Sequence, residues 1–249
     1  MMIDSTIVRL TMRQLLGQKR TILMLAFALI PVLVALLYRL NGDHVRHDPQ
    51  EWTATVALAR LVVGLVLPFT ALVFGTAALG TEFEDGTAVY LLSKPIPRST
   101  IVLSKLLVAW GATVVVVLVS TFPTGFLALS GEPQDGIVVA FAIAAVFGAL
   151  IYCAAFLWLS IATSRALIAG LLYVFIWEGV VVNLFKGVRL FSVRQYTLGI
   201  AGELMSVPKR VFDPRLQGPT AIVLACLVTG VAIWLAFRSL KRWEIGETS

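Results

Sequence analysis

Six apolar stretches, 21–38, 55–80, 106–129, 137–164, 166–185 and 220–237, constrain this chain more than anything else in it. They hold two charged residues between them, Arg60 and Glu178, although the chain carries 20 Lys and Arg and 14 Asp and Glu. A spanning helix needs about 20 apolar residues to cross the hydrocarbon of a bilayer, and no water-soluble core calls for six such segments. Composition agrees, with 59% hydrophobic and 14% charged residues, where soluble domains run near 45–50% and about 25%. The expected fold is an all-α integral membrane protein, one transmembrane domain over residues 1–249.

The net charge of +6 raises the question of nucleic acid, but the basic residues are scattered between the spans and form no stripe, so they read as membrane flanks and no nucleic-acid partner is expected. Cys153 and Cys226 fall inside spans, where they pack as small hydrophobes. The apolar run from Thr21 to Leu37 is followed by Tyr38-Arg39-Leu40-Asn41 and no small-residue cleavage site, so it is read as a retained span.

Residues 5–18 place Val8, Met12, Leu15 and Leu16 at helical spacing, with Arg9 and Arg13 on another face. Too polar to span, this segment is expected as an amphipathic surface helix among the headgroups. Small residues from Gly75 to Gly80 should let a neighbouring helix approach span two closely. Thr163-Ser164-Arg165 should be a tight turn making spans four and five a hairpin, because a single helix over 137–185 would be about 73 Å long.

Six spans put both termini on one side. With that side cytoplasmic, eleven basic residues lie inside and eight outside, with Arg60 in a span, the bias expected at a cell membrane. Most of the outside positives fall in residues 186–219. That external segment is long for a plain connection, and its alternating pattern from Val188 to Met205 predicts short amphipathic helices, candidates for re-entering the membrane, until Pro208 and Pro214 break it.

The most distinctive polar stretch is the cytoplasmic loop 81–100. Glu82, Glu84 and Asp85 stand at the foot of span two, Tyr90, Leu91 and Leu92 are apolar where no span requires them, and Pro95 and Pro97 impose an extended corner before Ser99 or Thr100 can cap span three. Apolar teeth on a stiff corner suit a docking element for a cytosolic partner, whereas an ordinary solvated loop explains the charges but not the teeth.

These residues resemble the signature of type-2 ABC transporter permeases: Glu82, then Gly86-Thr87, Leu91-Leu92-Ser93, Pro95, Arg98, and Lys105 at the start of span three. Pro97 departs from the small polar residue frequent in that family before the arginine. The surface helix, six spans, tight turn and external segment match the family's plan, so the resemblance covers the whole chain. It implies the membrane subunit of an ATP-driven exporter, paired with a second permease copy and with two cytosolic ABC ATPases. ATP and magnesium would then sit on those partners, since this chain has no phosphate-binding loop of its own. The resemblance assigns ATPase coupling to Glu82, Glu84, Asp85, Gly86, Thr87, Tyr90, Leu91, Leu92, Pro95, Pro97 and Arg98, and to a lesser degree to the Ser164-Arg165 turn; it fixes no substrate-contacting position.

Glu178 is the one acidic residue in a span and so a candidate for substrate or proton movement, although its place near the external end allows it simply to reach water. Arg60 is close enough to the same face to snorkel. His44, His47 and Asp48 offer two imidazoles and a carboxylate in a loop, too little for a defined metal centre, and read as a polar loop. Two other classes make different demands on a sequence. A secondary transporter should show internal repeats and interrupted polar spans, and an intramembrane enzyme needs paired catalytic groups within the spans; the sequence displays neither, so no enzymatic activity is expected of this chain.

Overall fold

A computed structural model describes residues 5–16, 19–40, 48–84, 97–130 and 135–246. Among them six helices are long and apolar enough to cross a membrane: Arg20–Leu40, Pro49–Gly80, Arg98–Ala128, Ile137–Ala162, Ala166–Leu184 and Gly218–Lys241, spans one to six. No strand occurs among the described residues. The protein is an all-α, multi-pass membrane protein.

Span four is the hub. Of its most apolar window 72% is buried, against 22% in spans five and six. It packs on spans two, three and six and on a short helix, Val193–Leu204. Its sequence explains why: Ala140, Ala144, Ala145, Ala149 and Ala154 are all buried and small, so neighbours can come near its backbone from several sides. Span two does so at the expected place. A methyl group on Gly75 would stand 3.0 Å from Cβ of Phe156 and 3.3 Å from the carbonyl oxygen of Cys153, so a side chain there would push the two spans apart. The outer spans carry large exposed apolar residues, among them Leu33 and Leu37 in span one, Ile168 and Phe175 in span five and Val223 and Trp234 in span six, as helices facing lipid do.

Two spans are not regular α-helices. Span two is π-helical over Thr53–Val66, and span five over Tyr173–Val181. In span two the cause lies four residues after Gly64: Pro68 has no N–H to give that turn and its ring crowds the carbonyl below it, and a widened turn relieves both.

Span three begins earlier than expected. The helix is Arg98–Ala128, with Pro97 as its cap at φ −55° and ψ 132° and no side-chain capping bond from Ser99 or Thr100. Instead the Thr100 N–H donates to the Pro97 carbonyl at 2.9 Å. At 31 residues this helix is about 46 Å long, so its first turns extend beyond a hydrocarbon core of about 30 Å. The spans four and five hairpin has the tight turn expected of it: Thr163 is extended at φ −146° and Arg165 N donates to its Oγ1 at 3.3 Å.

The N-terminal helix, Ser5–Leu16, packs on spans two and three. Its buried stripe is Ile7, Thr11 and Leu15, while Met12 is exposed; of the expected apolar positions, Leu15 seats against Ala77 and Val108 with Val8 packed beside them. Between spans five and six, Lys186–Phe191 is a 3-10 helix and Val193–Leu204 an α-helix. These are the short helices expected from the alternating pattern, and the second runs through Gly199 with Val193, Tyr196, Thr197, Ile200 and Ala201 all buried.

Candidate functional site

The loop expected to couple to a partner leaves from one end of the bundle. Span two delivers Glu82 and span three delivers Lys105, and these meet: Lys105 Nζ donates to Glu82 Oε1 at 2.7 Å and to the Ala78 carbonyl at 2.7 Å. Lys105 is 1% exposed and Glu82 18%. A buried ammonium needs both a counter-charge and extra acceptors to be tolerated, and the Ala78 carbonyl of span two, through its second lone pair, supplies the latter. The pair therefore clamps the two helices where residues 85–96 join them. Pro97 caps span three, Arg98 opens it and Glu84 ends span two. Asp85, Gly86, Thr87, Tyr90, Leu91, Leu92 and Pro95 lie outside the described residues. Gathered at the same end are the N-terminal helix, through Leu15 and Ala77, and the base of the hairpin turn, with Ser160 Cβ 3.5 Å from where a methyl on Gly80 would lie.

Glu178 stands toward the opposite end and does not reach water. It is 5% exposed. Its Oε1 accepts from Tyr173 Oη at 3.0 Å, Tyr152 Oη at 3.2 Å, Val193 N at 2.9 Å and Arg194 N at 3.4 Å, and its Oε2 accepts from Ser192 Oγ at 2.6 Å. Two of these donors are the free N–H groups at the start of the short helix, where a negative charge is favoured by the helix dipole. The carboxylate thus ties span four, span five and the short helix into one node. Oε1 is crowded with four donors and Oε2 is held by Ser192, all of them structural partners, so the geometry favours anchoring over carriage of a proton or substrate. The tyrosines and Ser192 were not legible as its partners, because they come from three separate segments with no common motif.

The other singled-out residues are placed simply. Arg60 is exposed, in the π-helical part of span two. Asp48 caps the helix that follows it, accepting from Gln50 N at 3.0 Å, and His44 and His47 lie outside the described residues. Among the described residues no cluster of His, Cys, Asp or Glu is fit to hold a metal ion. Cys153 is buried and Cys226 exposed, and neither is in a disulfide. Beside Asp48 the ends of spans are laced together by a Tyr38–Trp52 stack with ring centres 3.7 Å apart, by Gln50 Nε2 donating to Asp135 at 2.9 Å and by Arg39 donating to the Ser130 carbonyl at 2.7 Å.

Comparison with curated proteins finds no match. The family profile described as ABC-2 family transporter protein matches residues 5–245. With nearly the whole chain matched, six spans in place and the Glu82 and Lys105 of the resemblance found in contact, this chain belongs to the ABC-2 transporter family.

Proposed function

We propose that the chain is the permease subunit of an ATP-driven exporter in the cell membrane, working as a dimer with both termini cytoplasmic and driven by two separate ABC ATPases. ATP and magnesium belong to those ATPases. The observation that carries the reading is the Glu82–Lys105 clamp at the root of the segment 81–100. A partner pressing on that segment would act on spans two and three together, and span two is packed along span four, the hub of the bundle. The apolar Tyr90, Leu91 and Leu92 would supply the docking teeth, Glu82, Glu84 and Asp85 charge for a basic partner, Pro95 and Pro97 stiffness, and Gly86, Thr87 and Arg98 the rest of the family signature. The turn at Ser164-Arg165 emerges beside it as a second, smaller contact. The outward apolar faces of the peripheral spans suit lipid and a second permease copy.

Purification of the tagged chain in mild detergent tests this reading. A soluble ATPase and a second six-span chain should accompany it, and mass measurement of a fully active sample with one permease chain alone would remove the dimer. Orientation is tested by single cysteines at Asp48 and Lys209, which should react with an impermeant thiol reagent on intact cells, while those at Ser93 and Glu247 should react only after lysis. The reverse pattern would invert the topology.

A further inference from the structure

A second polar feature lies away from the coupling end. Between the start of span two, the end of span five and the segment before span six is a cavity of about 460 Å³ lined by Arg60, Arg194, Arg215, Asn183, Gln195 and Asp213 among others. That size falls within the range of small-ligand sites. Three guanidinium groups and a single carboxylate face it. Among the described residues none of the three arginines has an acidic partner within ion-pair distance. Their own bonds are few: Arg194 reaches the Ala59 carbonyl at 3.4 Å and Arg215 reaches Asn183 Oδ1 at 3.3 Å.

Two buried polar atoms here are left without a partner. Nε of Arg194 has none, and neither has Oε1 of Gln195, a side chain only 4% exposed. Leaving such groups dry is costly, and although both atoms lie just beneath the cavity wall, a small turn of either side chain would bring it to a ligand offering an acceptor to the first or a donor to the second. The site is also built to keep Arg194 in place. Its guanidinium lies where a side chain at position 64 would go, a methyl on Gly64 standing 3.1 Å from its Cζ, and its backbone is pinned by Glu178. Both π-helical stretches border the region, one carrying Arg60 and Gly64 and the other Glu178. Burial first, and the charges of Arg215 and Arg60 besides, push the Arg194 pKa down against the opposing pull of Tyr152 and Glu178. The arginines thus feel one another across the cavity, and an anion between them would relieve that repulsion.

We propose that this cavity binds a phosphate ester that also carries a hydroxyl group. Guanidinium forks match phosphate oxygens two at a time, and three of them can surround one phosphate. The hydroxyl donates to Gln195 Oε1, with Asp213 as a further acceptor at the rim. The ester could be a phosphoglycerol lipid headgroup, for which exposed Leu184, Phe185 and Phe191 nearby offer an apolar landing, or a soluble phosphate ester. The inference does not depend on the coupling reading, since it concerns the other end of the spans.

The test uses the full chain in two arms: nanodiscs containing phosphatidylglycerol against nanodiscs of phosphatidylcholine alone, with bound lipid read by native mass spectrometry, and calorimetric titration of detergent-solubilised protein with glycerol 3-phosphate against glycerol. At least one phosphate probe should bind selectively, weaken as salt is raised, and weaken by about tenfold or more in the double variant Arg60→Gln/Arg215→Gln. Both of those arginines are exposed, so the fold should survive, as an unchanged elution profile will show. Arg194→Gln should show the same loss where it folds. Selectivity in the nanodisc arm alone identifies a lipid, and selectivity in the titration identifies a soluble ester. No selective binding in either arm, or binding undiminished in the double variant, overturns the proposal.

Discussion

The protein buries two carboxylates in two different ways. Glu82 meets a formal positive charge, Lys105, across two spans; Glu178 meets only dipoles, two phenols, a serine hydroxyl and backbone N–H groups. The ion pair joins two helices through one charged contact, with Lys105 also held by the Ala78 carbonyl. A carboxylate held by five donors from three segments opens only if the whole node comes apart. The contrast sets an ion pair at the end proposed to couple against a many-membered node at the arginine-lined end.

The largest effect that can break this contrast is expected at the node. Glu178→Ala leaves buried hydroxyls and helix N–H groups unpaired and should cost about 3–5 kcal/mol of stability, read as a lowered melting temperature in detergent. Glu178→Gln should be milder but still below wild type, because an amide nitrogen cannot accept from any of these donors. A wild-type melt for Glu178→Ala would mean that the node carries no load.

At the other end the expectation is asymmetric. Glu82→Gln strands a buried ammonium and should cost about 3 kcal/mol, while Lys105→Met strands only a carboxylate that is 18% exposed and can turn to water, and so should cost less. Equal losses would show the pair to be as enclosed as Glu178.

The smallest effect concerns pH. Tyr196, in the short helix and bonded to the Leu190 carbonyl, has its phenol pushed up to about 12 by burial and then by the Glu178 charge. The ordinary value is 10.0, so above pH 10 the unfolded chain loses this proton first. Stability should therefore fall between pH 10 and about 12, and Tyr196→Phe should flatten that part of the profile. An unchanged slope in the variant would detach Tyr196 from the node.

Much of the architecture was legible because the bilayer imposes a length, from which the six apolar runs and the Thr163-Ser164-Arg165 turn follow, and because small residues mark a close approach such as that at Gly75. Span three starts at Arg98 rather than 106, since a hydropathy pattern marks where lipid begins and not where a helix does. In the N-terminal helix Leu15 and Val8 pack inward with Ala77 and Val108, residues far away in sequence, while Met12 is left exposed. Glu82 and Lys105 were suggested by the family signature, whereas Arg194, Gln195 and Arg215 sat in a stretch read only as an external segment. Nothing local marks three arginines that converge through tertiary packing alone. Glu178 drew notice as an intramembrane charge, but its burial depended on a helix beginning at Val193.

The central claim is that ATP energy enters through residues 81–100, and Leu92→Asp tests it most directly. Leu92 lies between the helices that end at Glu84 and begin at Arg98, so insertion and folding should be unaffected. A charge on a buried docking anchor costs about 2 kcal/mol or more. The variant should reach the membrane with wild-type abundance and melting temperature while its partner ATPase co-purifies poorly or hydrolyses ATP without transport. Normal co-purification with normal transport would contradict the account and reduce the segment from Glu82 to Arg98 to a connector.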